Sequence, residues 1–151
     1  HLAPTIIVFL ACVPFYSVTV SGMNPINWLD ILAFFLGLVS VWIEFQSDKE
    51  LHRFRAIRSD SSTVLETGTW SWCRHPNYLG ELGFWFSIFL FGVAAGDGMT
   101  PLALSGPIIM LLLFVFISIP MIEQKLLEDK PKYTTYKSRT FTLLPLSKLF
   151  F

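Results

Sequence analysis

Long apolar runs alternate along this chain with shorter polar stretches, and the runs are too long and too uniform to be one face of a water-soluble helix. Four of them stand out. Ala3 to Val20 contains no charge; Trp28 to Phe45 carries acids only near its ends, at Asp30 and Glu44; Tyr78 to Gly96 has a single acid, Glu81, near its start; Pro101 to Ile122 has none. A helix rises about 1.5 Å per residue against a hydrocarbon layer about 30 Å thick, so a span takes roughly 20 residues. The pattern predicts an all-α polytopic integral membrane protein with four transmembrane helices and a cytoplasmic helical tail. Pro14 and Pro107 should kink their helices, because each removes a backbone donor.

The polar stretches are of two kinds. Ser21 to Asn27 and Asp97 to Thr100 are short and hold no Lys or Arg. The segment from Gln46 to Asn77 holds Lys49, Arg53, Arg55, Arg58 and Arg74, and the tail after Ile122 holds Lys125, Lys130, Lys132, Lys137, Arg139 and Lys148, which together are all 11 basic residues. The positive-inside rule makes that side cytoplasmic and puts both ends of the chain there, in a bacterial inner membrane or an endoplasmic reticulum alike. Nothing breaks the chain between Glu44 and Arg58. Glu44, Asp48, Leu51 and Arg55 then fall on one face of a helix that continues beyond the membrane. Ser59 to Thr67 reads as a flexible loop and Gly68 to Asn77 as a compact turn, with Pro76 opening the third span, where its missing N–H costs nothing. The tail from Glu123 to Arg139 reads as a helix broken near Pro131, and Leu146 to Phe151 as a segment lying on the membrane surface.

Composition agrees. Of 151 residues, 53% are hydrophobic and 15% charged, against about a quarter charged in soluble domains. The formal net charge of zero gives no reason to expect a nucleic-acid partner. Cys12 and Cys73 fit no disulfide framework and read as free thiols. The chain opens at His1 within an apolar run, as one membrane domain forming the C-terminal part of a longer protein would.

The densest polar cluster is Arg74-His75-Pro76-Asn77-Tyr78, followed by Gly80-Glu81, where a polar segment becomes a membrane helix. A helix N-terminus beside an arginine attracts anions, a phosphate included. Glu81 lies one turn further on, at a depth where an acid needs a partner. The same residues also suit a snorkelling Arg74, a capping His75 and a Glu81 paired with a distant Lys or Arg. A second cluster is the helix face with Asp48 and Arg55; a third is Glu123, Lys125, Tyr133, Tyr136, Lys137 and Arg139 in the tail. Glu44, Asp48 and His52 have a metal-ligand spacing but no second histidine, so no metal site is assigned. Without a GxGxxG, P-loop or HExxH string, any cofactor must be held by the loop of residues 46–77 and the tail of residues 123–151.

The strings Ser47-Asp48-Lys49-Glu50-Leu51 to Phe54-Arg55, Gly68-Thr69-Trp70 to Glu81, and Glu123 to Tyr133, Tyr136 and Pro145 resemble the DUF1295 family. That family belongs with the steroid 5-alpha-reductase C-terminal domain, and more distantly with sterol reductases and isoprenylcysteine carboxyl methyltransferases. The resemblance implies a cofactor site that holds NADPH in the reductases and S-adenosylmethionine in the methyltransferases. Asp48, Arg55, Asn77, Glu81 and Tyr136 match cofactor-contacting positions, with Arg74, His75 and Tyr78 beside them. Glu123 stands where a reductase can have His and where the methyltransferases tend to show paired acids. The arginines favour NADPH, whose phosphates take guanidinium partners, over a sulfonium cation that needs acids and aromatic faces. The reading that follows is a reductase of a C=C bond in a steroid-like or other lipid substrate drawn from the bilayer. Methyl transfer to a lipid-linked carboxylate is the alternative, and a non-catalytic membrane subunit of the same fold a third. In the reductases the substrate-polarising groups precede the matched region, which leaves Tyr78 as the one in-chain candidate for a proton donor.

Overall fold

The computed structural model describes residues 25–97 and 104–145, together with Phe9 and Cys12. The first expected span, apart from those two residues, and the segment from Leu146 to Phe151 lie outside the described residues. The described residues form helices, turns and irregular chain, with one isolated bridge residue at Thr140 and no strand among them. Three helices are long and apolar enough to cross a membrane: Trp28–Ile57, Pro76–Ala95 and Ser105–Asp129.

Helix α1 (Trp28–Ile57) runs unbroken from the apolar run into the charged segment. Its start is fixed by a capping box, in which Asn27 Oδ1 accepts from Leu29 N–H at 2.8 Å and Asp30 Oδ2 accepts from Asn27 N–H at 2.9 Å. Asn27 Nδ2 also donates to Ala94 O at 3.2 Å, tying the start of α1 to the end of the next span. Phe34, Phe35, Leu38, Val39, Trp42 and Phe45 are each at least half exposed. Water would not tolerate apolar side chains on so many sides of one helix; hydrocarbon does.

Helix α2 (Pro76–Gly92) starts at the proline and passes into a π turn, Val93–Asp97. It packs antiparallel to α1 through small residues. A Cβ added to Gly80 would lie 2.7 Å from both Glu44 N and Ser40 O, and one added to Gly37 would meet Ser87 Oγ at 3.0 Å. Between lipid-exposed helices the hydrophobic effect gives little drive, so close backbone approach at Gly and Ser supplies the contact.

The last span is α3 (Ser105–Leu113), a π turn (Phe114–Ser118) and α4 (Ile119–Asp129) in one continuous rod. One expectation changes here. Pro107 sits in the first turn of α3, where a missing N–H breaks nothing. The irregularity falls instead just before Pro120: Ile119 N–H donates to Phe114 O, five residues back, because a proline cannot bond the carbonyl four residues before it and crowds it. Past Ile122 the helix continues to Asp129, so the span and the first part of the tail helix form one element. Helix α5 (Tyr133–Arg139) follows the break at Pro131. Trp85 and Ile88 from α2 meet Met110, Phe114 and Ile119 in the buried core, with Cys12, Tyr78, Leu82 and Leu143 packed against it.

Candidate functional site

At the basic end of the bundle, the chain before α2 is fastened in three directions. A 3-10 turn, Gly68–Ser71, is clamped onto α1: Glu50 Oε2 accepts from Thr69 N–H at 2.9 Å and Thr69 Oγ1 at 2.7 Å, and Trp70 Nε1 donates to Ser47 O at 3.0 Å. Gly68 has φ 64°, and the Glu50 carboxylate fills the space a Cβ would take. The Tyr136 hydroxyl, 2.5 Å from Trp70 O and 3.2 Å from Cys73 O, shares its one proton between them. Arg74 N–H donates to Phe141 O at 2.9 Å and His75 N–H to Thr142 O at 3.1 Å.

Arg74 and Glu123 form the centre of this end. Arg74 Nε donates to Glu123 Oε1 at 2.7 Å, Nη2 to Thr142 Oγ1 at 2.7 Å, and Nη1 to Lys137 O at 3.3 Å and to Thr140 O. Glu123 also takes His75 Nε2 at 3.2 Å and Lys137 Nζ at 2.8 Å. Both Arg74 and Glu123 are 6% exposed. His75 stacks on Tyr78, which stacks on Phe114 at 4.2 Å.

Beside this hub lies a cavity of about 310 Å³, lined by residues of α1, the chain between α1 and α2, α2, α4 and α5. Arg55, Arg58 and Lys130 all line it, with the Lys130 ammonium close enough to both guanidinium groups to feel their charge. Its walls are apolar and aromatic, with Leu51, Phe54, Leu65 and Trp70 among them. Asn77, Tyr78, Tyr133 and Tyr136 line it too, as do Arg74 and His75. Lys130 Nζ donates to Thr63 O at 2.8 Å, holding the loop over the cavity. Burial, and then the charges of Arg58 and Arg55, hold the Lys130 ammonium below its usual lysine range, while Asp129 and Asp60 oppose that only weakly. Among the described residues none of these three cations has a carboxylate partner within 4 Å, whereas Arg139 does, pairing with Glu66 at 2.9 Å.

The sequence model of the DUF1295 family, a protein of unknown function, matches residues 1–140. The chain belongs to the DUF1295 family. Among curated proteins and among solved structures, none matches it.

Of the positions assigned from sequence in this DUF1295 chain, the structure gathers Asp48, Arg55, Arg74, His75, Asn77, Tyr78 and Tyr136 around the one cavity. Two go elsewhere. Glu81 lies one turn deeper, facing a second cavity with Val41, Glu44, Phe84 and Trp85, since α1 and α2 run antiparallel and Glu81 is level with Glu44 as Asn77 is with Asp48. Glu123 is absent from the cavity lining because Arg74, His75 and Lys137 use its carboxylate oxygens. Arg74, expected to meet an anion, spends four donated hydrogen bonds inside the protein. Arg53 and Arg139, also expected to neutralise phosphate, do not line the cavity. Lys130 and Tyr133 do, and neither was among the assigned positions. The three-residue step from Tyr133 to Tyr136 was the available signal, since it puts both rings on one side of a helix.

Proposed function

We propose that the protein is a membrane-embedded, NADPH-dependent reductase of an activated C=C bond in a lipid-like substrate. The carrying observation is the group Arg55, Arg58 and Lys130. Three cations that line one cavity close together, without a carboxylate of their own, are stable together when an anion joins them, and two guanidinium forks suit the phosphates of a dinucleotide. The residues present fit such a cofactor in a second respect: Asn77 Oδ1 is buried without a hydrogen-bond partner among the described residues, as an atom reserved for a ligand would be.

When bound, the nicotinamide would supply the hydride. Arg55, Arg58 and Lys130 would hold the phosphates. The aromatic and aliphatic walls would exclude water from a flat ring, and Trp70 and Tyr136, both hydrogen-bonded to backbone, would keep those walls rigid. Tyr78 remains the in-chain candidate to hold a proton for the substrate. The basic end of the bundle would face the cytoplasm, with the substrate entering from the bilayer.

The size of the cavity favours a second reading. About 310 Å³ is at the small end for ligand sites, and the aromatic rings with Asp48 suit a sulfonium cation, so methyl transfer from S-adenosylmethionine is the alternative. Titrating the protein in nanodiscs with NADPH, NADH and S-adenosylmethionine separates the two. The reductase reading expects NADPH to bind best and NADH more weakly, and it fails if S-adenosylmethionine binds more tightly than NADPH.

A further inference from the structure

Two residues that line the cavity carry buried polar atoms that the protein leaves unused. One is Asn77 Oδ1; the other is the Tyr133 hydroxyl, which has no hydrogen-bond partner among the described residues although Tyr133 is only 2% exposed. Tyr136, one turn along the same helix, shows the ordinary solution, its hydroxyl bonded to two backbone carbonyls. Tyr133 lies close enough to the Arg74–Glu123 pair to interact with both, but neither group meets its hydroxyl in hydrogen-bonding geometry, the carboxylate oxygens being held by Arg74, His75 and Lys137. Burial, and then the Glu123 charge, push the Tyr133 phenol well above its usual range, so it stays a proton-bearing donor at any physiological pH.

A buried donor and a buried acceptor in one small cavity, both without partners, are complementary to a ligand group carrying one acceptor and one donor. We propose that Tyr133 and Asn77 together bind a primary carboxamide, with Tyr133 O–H donating to its carbonyl oxygen and Asn77 Oδ1 accepting from its N–H. Both residues line the same cavity as Arg55, Arg58 and Lys130, Tyr133 three residues beyond Lys130 and Asn77 in the first turn of α2. Asp48 is level with Asn77, and Arg55 lies seven residues further along α1, about 10 Å at helical rise. A ligand with a carboxamide-bearing ring at one end and phosphates at the other spans that arrangement, and Tyr78 and Tyr136 offer aromatic faces beside the ring. This rests on the reading of the cavity as a nicotinamide-nucleotide site and adds which end of the nucleotide lies where. Tyr133 becomes a ligand-contacting residue, outside the positions the family resemblance supplies.

The test uses three ligands with the protein in nanodiscs, read by equilibrium binding. NADPH carries the carboxamide; its 3-acetylpyridine analogue keeps the carbonyl but lacks the N–H; adenosine 2′,5′-bisphosphate has the phosphates and no ring. Tyr133→Phe should weaken NADPH and the acetyl analogue by about tenfold each, the loss of one hydrogen bond, and leave the bisphosphate unchanged. Asn77→Ala should weaken NADPH by about tenfold and spare the other two. Unchanged bisphosphate binding shows in the same experiment that each variant is folded. Equal losses for all three ligands would make Tyr133 a scaffold residue, and no loss for NADPH would remove the contact; either overturns the proposal. If the unaltered protein binds the bisphosphate but NADPH no better, the anion site stands and the carboxamide assignment falls. If it binds neither, the nucleotide reading and this one fall together.

Discussion

Replacing Glu123 by Gln separates two roles that the sequence could not. The family resemblance places Glu123 among cofactor contacts; the structure places it at the centre of a buried hub, with Arg74 at 2.7 Å, Lys137 at 2.8 Å and His75 at 3.2 Å. Gln keeps the shape and one acceptor but removes the charge, leaving the Arg74 guanidinium, 6% exposed, with only neutral acceptors at Lys137 O, Thr140 O and Thr142 Oγ1. Removing one partner of a buried ion pair costs about 3–5 kcal/mol. The remaining acceptors put this case at the low end, about 3 kcal/mol. In a chain of this size that lowers the midpoint of thermal unfolding by roughly 6–12 °C. Lys137→Met is the internal control: its side chain is 41% exposed, and such a pair is worth under about 1 kcal/mol. The assay is thermal unfolding in detergent without cofactor, followed by tryptophan fluorescence, with NADPH affinity measured separately below the midpoint. A Glu123→Gln variant of normal stability and reduced NADPH affinity would refute the hub and restore the cofactor role. Equal, small losses in both variants would show that the hub is open to solvent.

Gly80→Ala should prevent normal packing of α1 on α2, because the added methyl meets backbone at 2.7 Å; Gly37→Ala meets only a serine hydroxyl and should be mild, and yields of folded protein after detergent extraction compare them. Arg55→Ala combined with Arg58→Ala should weaken NADPH by at least tenfold and flatten the salt dependence of its binding, seen by titration at two ionic strengths. Burial pushes the Cys73 thiol up to about 11 from 9.0, so at pH 8 its thiolate is about a hundredfold scarcer than that of a free thiol, and maleimide labelling should be slow until the protein unfolds. Because the folded state holds that proton more tightly, the contribution to stability is complete below pH 9 and is lost as pH rises toward 11, which unfolding titrations across that range would show. A cysteine introduced at Ser61 should be labelled from the cytoplasmic side and one at Ile26 only from the other, and the reverse result would invert the topology.

The sequence by itself determined what is local. Unbroken apolar runs select helix in a solvent that cannot satisfy backbone groups, so α1, α2 and the Ser105–Asp129 rod are legible, as are the extension of α1 past the membrane, the start at Pro76 and the break at Pro131. Each depends on residues a few positions apart. The clustering of Asp48, Arg55, Asn77 and Tyr136 was legible only through resemblance, since no spacing rule links α1 to a tail more than 80 residues away. Tertiary structure decided how the charges are spent. Arg74 and Glu123, 49 residues apart, satisfy each other because burial makes an unpaired charge costly; that commits both to the fold, while among the described residues Arg55, Arg58 and Lys130 keep no carboxylate partner within 4 Å. It also decided depth: antiparallel packing at Gly80 sets Glu81 level with Glu44, so that it lines a second cavity one turn deeper although it shares a helix face with Asn77. Tyr133 gained its place for the same reason, because whether a hydroxyl finds a partner depends on every segment packed around it and not on its neighbours in the chain.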